Sequence, residues 1–242
     1  MAFMSMVAPT KYLQFPFQFD AKRLVNDLNI ALQSDWVEHY NKKDYEGEWT
    51  SIALYSSNGD SKNIFALPIE NQALQETEIL QKCLYFKEVL AHFECPLLSV
   101  RLLRLNAGAV IKPHRDYNLG YEDGQFRIHV PIVTHPNIEF MLGGQRLDMK
   151  AGSCWYTNVN YVHSVANKGT IDRVHLVFDG ERNEWSDQLF FSLAPEESFL
   201  PPPPPAPSKE ELKRMIEELQ QQGNEAAKEL IRQYQEQISK IQ

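Results

Sequence analysis

Cysteine is scarce in this chain: Cys83, Cys95 and Cys154 are the three in 242 residues. An odd count with no CxxC spacing suggests neither a disulfide framework nor a zinc knuckle and fits a reducing, cytoplasmic setting. Positive charge is also short, with 24 Lys+Arg against 32 Asp+Glu and a net charge of −8. Such a balance lacks the electrostatic footprint that a nucleic-acid backbone requires, so nucleic acid is not an expected partner. Long hydrophobic runs are missing too. No stretch approaches the roughly 18 apolar residues of a membrane span, and the opening MAFMSMVAPTKYLQ has no basic cap, apolar run and cleavage site of a secretory signal. Neither membrane insertion nor secretion is expected. Repeats at solenoid or propeller periods are absent as well. What remains is 43% hydrophobic and 23% charged, a globular composition with room for one large domain, alone or with an appendage.

The composition shifts at Leu200. Pro201 to Pro205 run consecutively and Pro207 follows, a stretch confined to extended polyproline II or turn. Beyond it, Ser208 with Glu211 three residues on reads as a capping box, and Leu212, Met215, Ile216 and Leu219 recur at helical spacing before Gly223-Asn224. Ala227, Leu230, Ile231, Tyr234, Ile238 and Ile241 continue the pattern, so two amphipathic helices or one broken helix are expected. Such apolar stripes must dock on something. Packing on the chain's own body or on a second copy is the ordinary use, and a foreign partner the less ordinary one. Upstream, Asp20 caps an expected helix through Leu32, and residues 75–93 form a second helical stretch. From Leu97 to Asp179 the texture changes to short alternating runs, LLSVRLLRL, AVIKPHRDY, QFRIHVPIV, IEFML, GGQRLDM, SCWYTNV and DRVHLVFD, which imply a sandwich or barrel. The expected organisation is a domain over 1–200 with a helical N-terminal region, residues 1–96, and a strand-rich core, residues 97–180. A proline linker, 201–207, and a helical tail, 208–242, follow.

In a strand, residues i and i+2 share a face, so His114 and Asp116 are expected to project together. Taken alone the pair is a weak signal. His163, 49 positions on, supplies a third group, and two His plus one carboxylate hold one face of an octahedral Fe(II) while leaving positions for a chelating cosubstrate and O₂. Arg173 stands ten residues after His163 at the head of RVHLVFD. Alternation gives that strand one face with Arg173 and His175, and gives FRIHVPI one face with Arg127 and His129. On an outer sheet this is plain polar-out patterning; inside a barrel it lines a cavity with cations. A guanidinium matches a carboxylate in fork geometry, which suits Arg173 to the far end of a metal-chelating dicarboxylate.

With PHRD at 113–116, FRIHVPI at 126–132, YVHSV at 161–165, RVHLVFD at 173–179 and DYEGEW at 44–49, the chain resembles the aspartyl/asparaginyl β-hydroxylase family of Fe(II)- and 2-oxoglutarate-dependent oxygenases, which includes hydroxylases of free amino acids such as proline. Its elements cover most of residues 1–180, in order and at the expected spacing. The resemblance implies a mainly β fold with flanking helices around a double-stranded β-helix, the cupin-like jelly roll, over 97–180. It implies iron ligation by His114, Asp116 and His163, and a salt bridge from Arg173 to the far carboxylate of 2-oxoglutarate. His129 and Arg127 match positions that contact the near carboxylate or the substrate. The implied reaction hydroxylates an unactivated C–H of an amino acid, an amino-acid derivative or a peptidyl Asp, Asn or Pro residue, with release of succinate and CO₂. The resemblance does not reach the linker or the tail, whose self-association or partner docking stays open.

Other residues have plainer readings beside the functional ones. Arg101 and Arg104 suit a substrate carboxylate, yet strand arginines are commonly solvated or paired within the protein. Trp155 and Tyr156 are site wall or core. Glu46, Glu48 and Trp49 form a lid or, more ordinarily, a solvated turn. Cys154 reads as a small buried hydrophobe. His175 suits a supporting place behind the site and His39, His92 and His135 join no constellation; a satisfied core or surface histidine is the ordinary reading of each. Two alternatives remain open here: a 2-oxoglutarate-independent cupin-type metal enzyme, for which Arg173 has no use, and a non-catalytic module that assembles through its helical tail, for which the ligand set has none.

Overall fold

A computed structural model of the chain describes residues 7–64, 74–202, 207–220 and 225–240. Up to residue 96 the elements are β1 (Tyr12–Gln18), α1 (Ala21–Ala31), β2 (Val37–Glu38), β3 (Tyr45–Glu46), β4 (Trp49–Ser56), β5 (Gln75–Glu76), α2 (Glu78–Lys82) and α3 (Leu84–Leu90). There follow β6 (Leu97–Leu105), β7 (Val110–His114), β8 (Gln125–Val133), β9 (Ile138–Leu142), β10 (Gln145–Leu147), β11 (Ser153–Thr157), β12 (His163–Asn167) and β13 (Arg173–Glu181). Helices α4 (Glu184–Phe191), α5 (Lys209–Gln220) and α6 (Glu225–Lys240) complete the order. The chain forms two compact units, Met1–Pro201 and Pro202–Gln242.

The strands after residue 96 pair as hairpins nested inside one another. Leu142 of β9 faces Gln145 of β10, His129 of β8 faces Trp155 of β11, His114 of β7 faces His163 of β12, and Arg101 of β6 faces Val177 of β13, all antiparallel. This long hairpin is wound across two sheets, with β11-β8-β13-β6 inside the larger and β10-β9-β12-β7 inside the smaller. That topology is the double-stranded β-helix, or jelly roll.

Alternation then decides what lies on each side. Phe126, Ile128, Val130, Leu176 and Phe178 form one buried cluster with Leu24 and Leu28 of α1, Phe86 and Val89 of α3, and Phe190 of α4. The larger sheet is thus covered by helices on its outer face. Arg127, His129, Arg173 and His175 occupy the opposite face, where both Arg173 and His129 lie against Phe140 of β9 in the smaller sheet. Cations therefore point between the sheets, and the polar-out pattern is an interior lining. Trp155 and Tyr156 are both core, in the inter-sheet and helix-side clusters respectively, and Cys154 is fully buried.

The N-terminal region, residues 1–96, is not simply helical. Its β1 pairs with β11 at one end of the larger sheet, and β4 is paired with β6 and β2. Pro16 sits in β1 where the pairing slips between Phe15 and Gln18, as expected for a residue without an N–H, which a sheet tolerates at an edge or bulge. Asp20 caps α1 by accepting from the backbone N–H groups of Lys22 and Arg23. Leu24 and Leu28 are buried, but Ile30 and Leu32 are exposed, because only the i, i+4 pair shares the inward stripe. The expected helical stretch 75–93 breaks into β5, α2 and α3 around Cys83, whose φ −99° and ψ 77° are not helical. Cys83 makes no side-chain cap for α3; the buried carboxylate of Asp27 in α1 instead accepts from Phe86 N–H at 2.9 Å.

In the second unit, the Ser208–Glu211 capping box forms: Ser208 N–H donates to the Glu211 carboxylate at 2.8 Å, and Glu211 N–H donates to Ser208 Oγ at 3.2 Å. Leu212 and Ile216 of α5 are buried, while Met215 and Leu230 are exposed. Residues 203–206 of the proline run and the Gly223-Asn224 interruption lie outside the described residues.

Replacing Asp27 with Ala leaves the Phe86 N–H buried without a partner, and should lower stability by about 1–3 kcal/mol in urea unfolding. A loss near zero would mean that water or another group satisfies that N–H.

Candidate metal centre and its surroundings

Strand β7 ends at His114, so Asp116 lies past the strand and its place does not come from pleat alternation. Its backbone N–H donates to the Val159 carbonyl at 3.0 Å, tying the turn after β7 to the segment that enters β12. His163 is the direct cross-strand partner of His114, and the β7–β12 register slips between His163 and Val165, on the side where β7 carries Pro113. A bulge of this kind re-aims side chains at a strand end. It brings one ligand atom each of His114, Asp116 and His163 within 4.8 Å of one another, the one such group of three among the described residues.

Both imidazoles are oriented from behind. His114 Nδ1–H donates to the Lys112 carbonyl at 2.8 Å and His163 Nδ1–H to the Tyr161 carbonyl at 3.1 Å. Each ring is thereby fixed as the tautomer with a free lone pair on Nε2, the arrangement that metal-binding histidines use. Burial, reinforced by His114, pushes His163 down to about 4 despite Asp116, so His163 is a neutral base at physiological pH. The donor set, two imidazoles and one carboxylate at one corner of the inter-sheet space, fits a divalent iron with open coordination positions.

Asp116 is also held from behind. Arg127 Nη1–H donates to Asp116 Oδ2 at 2.6 Å, while Nε and Nη2 of the same guanidinium donate to the two oxygens of Asp179 at 2.7 and 3.0 Å. Asp116 Oδ1 is left toward His114, 3.7 Å from its Nε2. Ser99 Oγ and Arg101 Nη2 also donate to Asp179, at 2.8 and 3.3 Å. Burial pushes Asp179 up, but Arg127, Arg101 and Ser99 together hold it below the ordinary carboxylate range. Arg127, expected to contact the cosubstrate's near carboxylate or the substrate, is paired with Asp116 and Asp179 and also lines the pocket shared by the metal-centre residues. Arg101 is similarly paired, and Arg104 donates to Thr50 and Glu48.

Arg173 contrasts with these. Its side chain is fully buried, Nε has no hydrogen-bond partner, and among the described residues no carboxylate pairs with it. Burial alone pushes its guanidinium down to about 9. Its neighbours are bases: Nη2 donates to His175 Nδ1 at 2.7 Å, and His175 Nδ1 lies 3.4 Å from His129 Nδ1. Burial, with the Arg173 charge next, drives both histidines well below their ordinary range. Their Nε2 atoms are buried without partners. Arg173 and His129 line one pocket with His114, Asp116 and His163, walled by Trp49, Leu103, Ile111, Phe140, Val159 and Val165. His175 stands behind Arg173 and outside that lining.

A wider cleft of about 650 Å³ opens over the metal centre, lined among others by His39, Trp49, Arg101, Tyr117, Gln125 and Arg127. His39, which the sequence joins to nothing, is buried there and stacked on Trp49 at 3.5 Å between ring centroids. Burial, aided by Arg101, pushes it down to about 4. Trp49 is core rather than turn. His92 packs on Phe17 and Phe19, and His135 bonds Asn167; both are away from the centre. Asp179 is the main residue that sequence reasoning missed, although the alternation that pairs Arg173 with His175 carries on through Val177 to Asp179.

A protein-family model described as aspartyl/asparaginyl beta-hydroxylase matches residues 18–183. Among solved structures, the chain is similar to an oxidoreductase of the 2OG-Fe(II) oxygenase family from Burkholderia pseudomallei, with 13% identity over 72% of this chain and 86% of that one and a TM-score of 0.49. It is also similar to HygX from Streptomyces hygroscopicus, solved with nickel and 2-oxoglutarate bound, at 11% identity, 72% and 84% coverage and a TM-score of 0.48. A prolyl-4-hydroxylase from Pseudomonas putida matches at 9% identity, 71% and 93% coverage and a TM-score of 0.45. No helix among the described residues is long and apolar enough to cross a membrane. With the family match spanning the jelly roll and all three metal-centre residues, the chain belongs to the aspartyl/asparaginyl β-hydroxylase family of Fe(II)- and 2-oxoglutarate-dependent oxygenases.

Proposed function

We propose that this oxygenase hydroxylates an unactivated C–H of an amino acid, an amino-acid derivative or a peptidyl Asp, Asn or Pro residue, releasing succinate and CO₂. His114, Asp116 and His163 hold its iron, and Arg173 takes the far carboxylate of 2-oxoglutarate. The observation that carries the cosubstrate assignment is Arg173 itself, a fully buried guanidinium with an unpartnered Nε and no carboxylate of its own. A buried charge in that state requires an anion, and a carboxylate matches its donor geometry.

Iron, when bound, supplies the activation of O₂ that C–H hydroxylation demands. The chain's residues supply the rest. The carbonyls of Lys112 and Tyr161 aim two imidazole lone pairs. Arg127 occupies one oxygen of Asp116 and leaves the other for the metal. His129, neutral and with Nε2 unengaged, faces the same pocket and suits the cosubstrate's near end. Phe140, Val159, Val165 and Leu103 make the walls apolar and exclude water from the reacting atoms. The cleft above, about 650 Å³, falls among pockets that enclose small molecules, roughly 300–1,000 Å³, and supports an amino-acid-sized substrate or one side chain of a peptide.

Anaerobic addition of Fe(II) and then 2-oxoglutarate should develop a visible charge-transfer band. Arg173→Ala should raise the 2-oxoglutarate concentration at half-saturation by about 10- to 100-fold, the range for losing a hydrogen-bonded charge partner, and Asp116→Ala should abolish the band. Metal binding without any band would overturn the cosubstrate assignment. For the clamp behind Asp116, Arg127→Lys replaces a planar fork with a point charge and should weaken iron binding by about 10- to 100-fold, as supporting-residue losses do at metal sites. Unchanged affinity in a metal-competition titration would show that Asp116 does not need Arg127.

A further inference from the structure

Arg173 carries donors only, so its 2.7 Å contact with His175 Nδ1 makes that nitrogen the acceptor. A neutral His175 then carries its proton on Nε2. Nε2 is buried and has no partner, so the imidazole leaves a donor unsatisfied that an aliphatic side chain would not have. The strand itself gives no reason for histidine here. His175 lies between Val174 and Leu176 in a strand buried along nearly its whole length, a setting that suits Val or Leu. Among the described residues, the hydrogen bond of the imidazole runs through Nδ1 to Arg173, and His129 Nδ1 lies 3.4 Å from the same nitrogen. An unsatisfied buried donor retained in a core calls for an explanation, and the geometry offers one.

We propose that His175 is a positioning residue for cosubstrate binding: by accepting from Nη2 it fixes the plane of the Arg173 guanidinium and leaves its remaining donors to the far carboxylate of 2-oxoglutarate. The inference rests on the assignment of Arg173 to that carboxylate. An arginine side chain has many rotamers, and holding one before the ligand arrives removes an ordering cost from binding. His175 is not itself part of the pocket lining or the metal centre; it reaches the pocket through Arg173, its hydrogen-bond donor, and lies beside His129.

The test uses the full chain with four changes: His175→Leu, which removes the acceptor; His175→Asn, which keeps an amide oxygen near the Nδ1 position; Arg173→Ala; and the His175→Leu, Arg173→Ala double variant. Fe(II)-loaded proteins are titrated anaerobically with 2-oxoglutarate by the charge-transfer band, and thermal unfolding is followed in parallel. His175→Leu should raise the half-saturating concentration about tenfold, the scale of one hydrogen bond to a charged group, with a melting temperature within a few degrees of the parent. His175→Asn should restore binding to within about twofold. In the Arg173→Ala background, His175→Leu should add nothing. Parent-like titration of His175→Leu, or an equal loss in the Arg173→Ala background, would overturn the proposal. If Arg173→Ala itself titrates like the parent, the Arg173 assignment fails first, an outcome distinct from failure of His175 alone. Should His175→Leu not fold, His175→Gln, which moves the acceptor out to the Nε2 position, is expected to weaken binding, and parent-like binding by it would refute the role.

Discussion

Between the two sheets, the buried guanidiniums of Arg101 and Arg173 and the partly buried one of Arg127 are set against two carboxylates, Asp116 and Asp179. The organisation of the centre follows from how that imbalance is distributed. Asp179 is shared by Arg101 and Arg127, and Arg127 also pairs with Asp116, so these two cations are balanced by the two carboxylates together. The surplus falls on Arg173, which lines the same pocket as the metal ligands. Charge is far stronger in such a space than in water, so an anion entering the pocket meets an attraction fixed by the fold before it arrives.

A lining of this kind opposes folding, and the rest of the domain offsets it. The outer face of the larger sheet is packed under α1, α3 and α4 with a continuous set of Leu, Ile, Val and Phe side chains. Each of these contributes on the order of 1.5–3 kcal/mol when fully buried. Aromatic packing around Phe190, stacked on Tyr121 at 3.9 Å between centroids, anchors the helix that follows the last strand. The sheet thus separates two duties by side-chain parity: odd residues of β8 and β13 carry the chemistry, and even residues carry the stability.

That parity is why so much was legible. Runs such as FRIHVPI and RVHLVFD show a two-residue period directly, and it assigns Arg127, His129, Arg173 and His175 to one face without coordinates. The metal trio was readable from residue types, and the resemblance gave its order. Three kinds of information were not local. The bulge at Pro113 and the Val159 contact set the place of Asp116, and neither follows from strand periodicity. The partners of Arg127 are decided by register, since Asp179 lies opposite it across β8 and β13, so its pairing with two carboxylates could not be read from its own strand. The strands β1 and β4 were hidden in a region read as helical because tertiary pairing, rather than length or propensity, makes them part of the sheet.

The nesting of the hairpins also grades the entropic cost of closing each pair. Leu142 and Gln145 are separated by a tight turn, so this innermost pair closes the shortest loop. Each closed rung then shortens the effective loop left for the next, which lowers its entropic cost. The histidines stand on the third rung outward and Arg173 on the fourth and last. By loop closure alone, the pairing that joins His114 and His163 costs less than the one that places Arg173, so the buried guanidinium stands on the rung that gains most from all the others being closed.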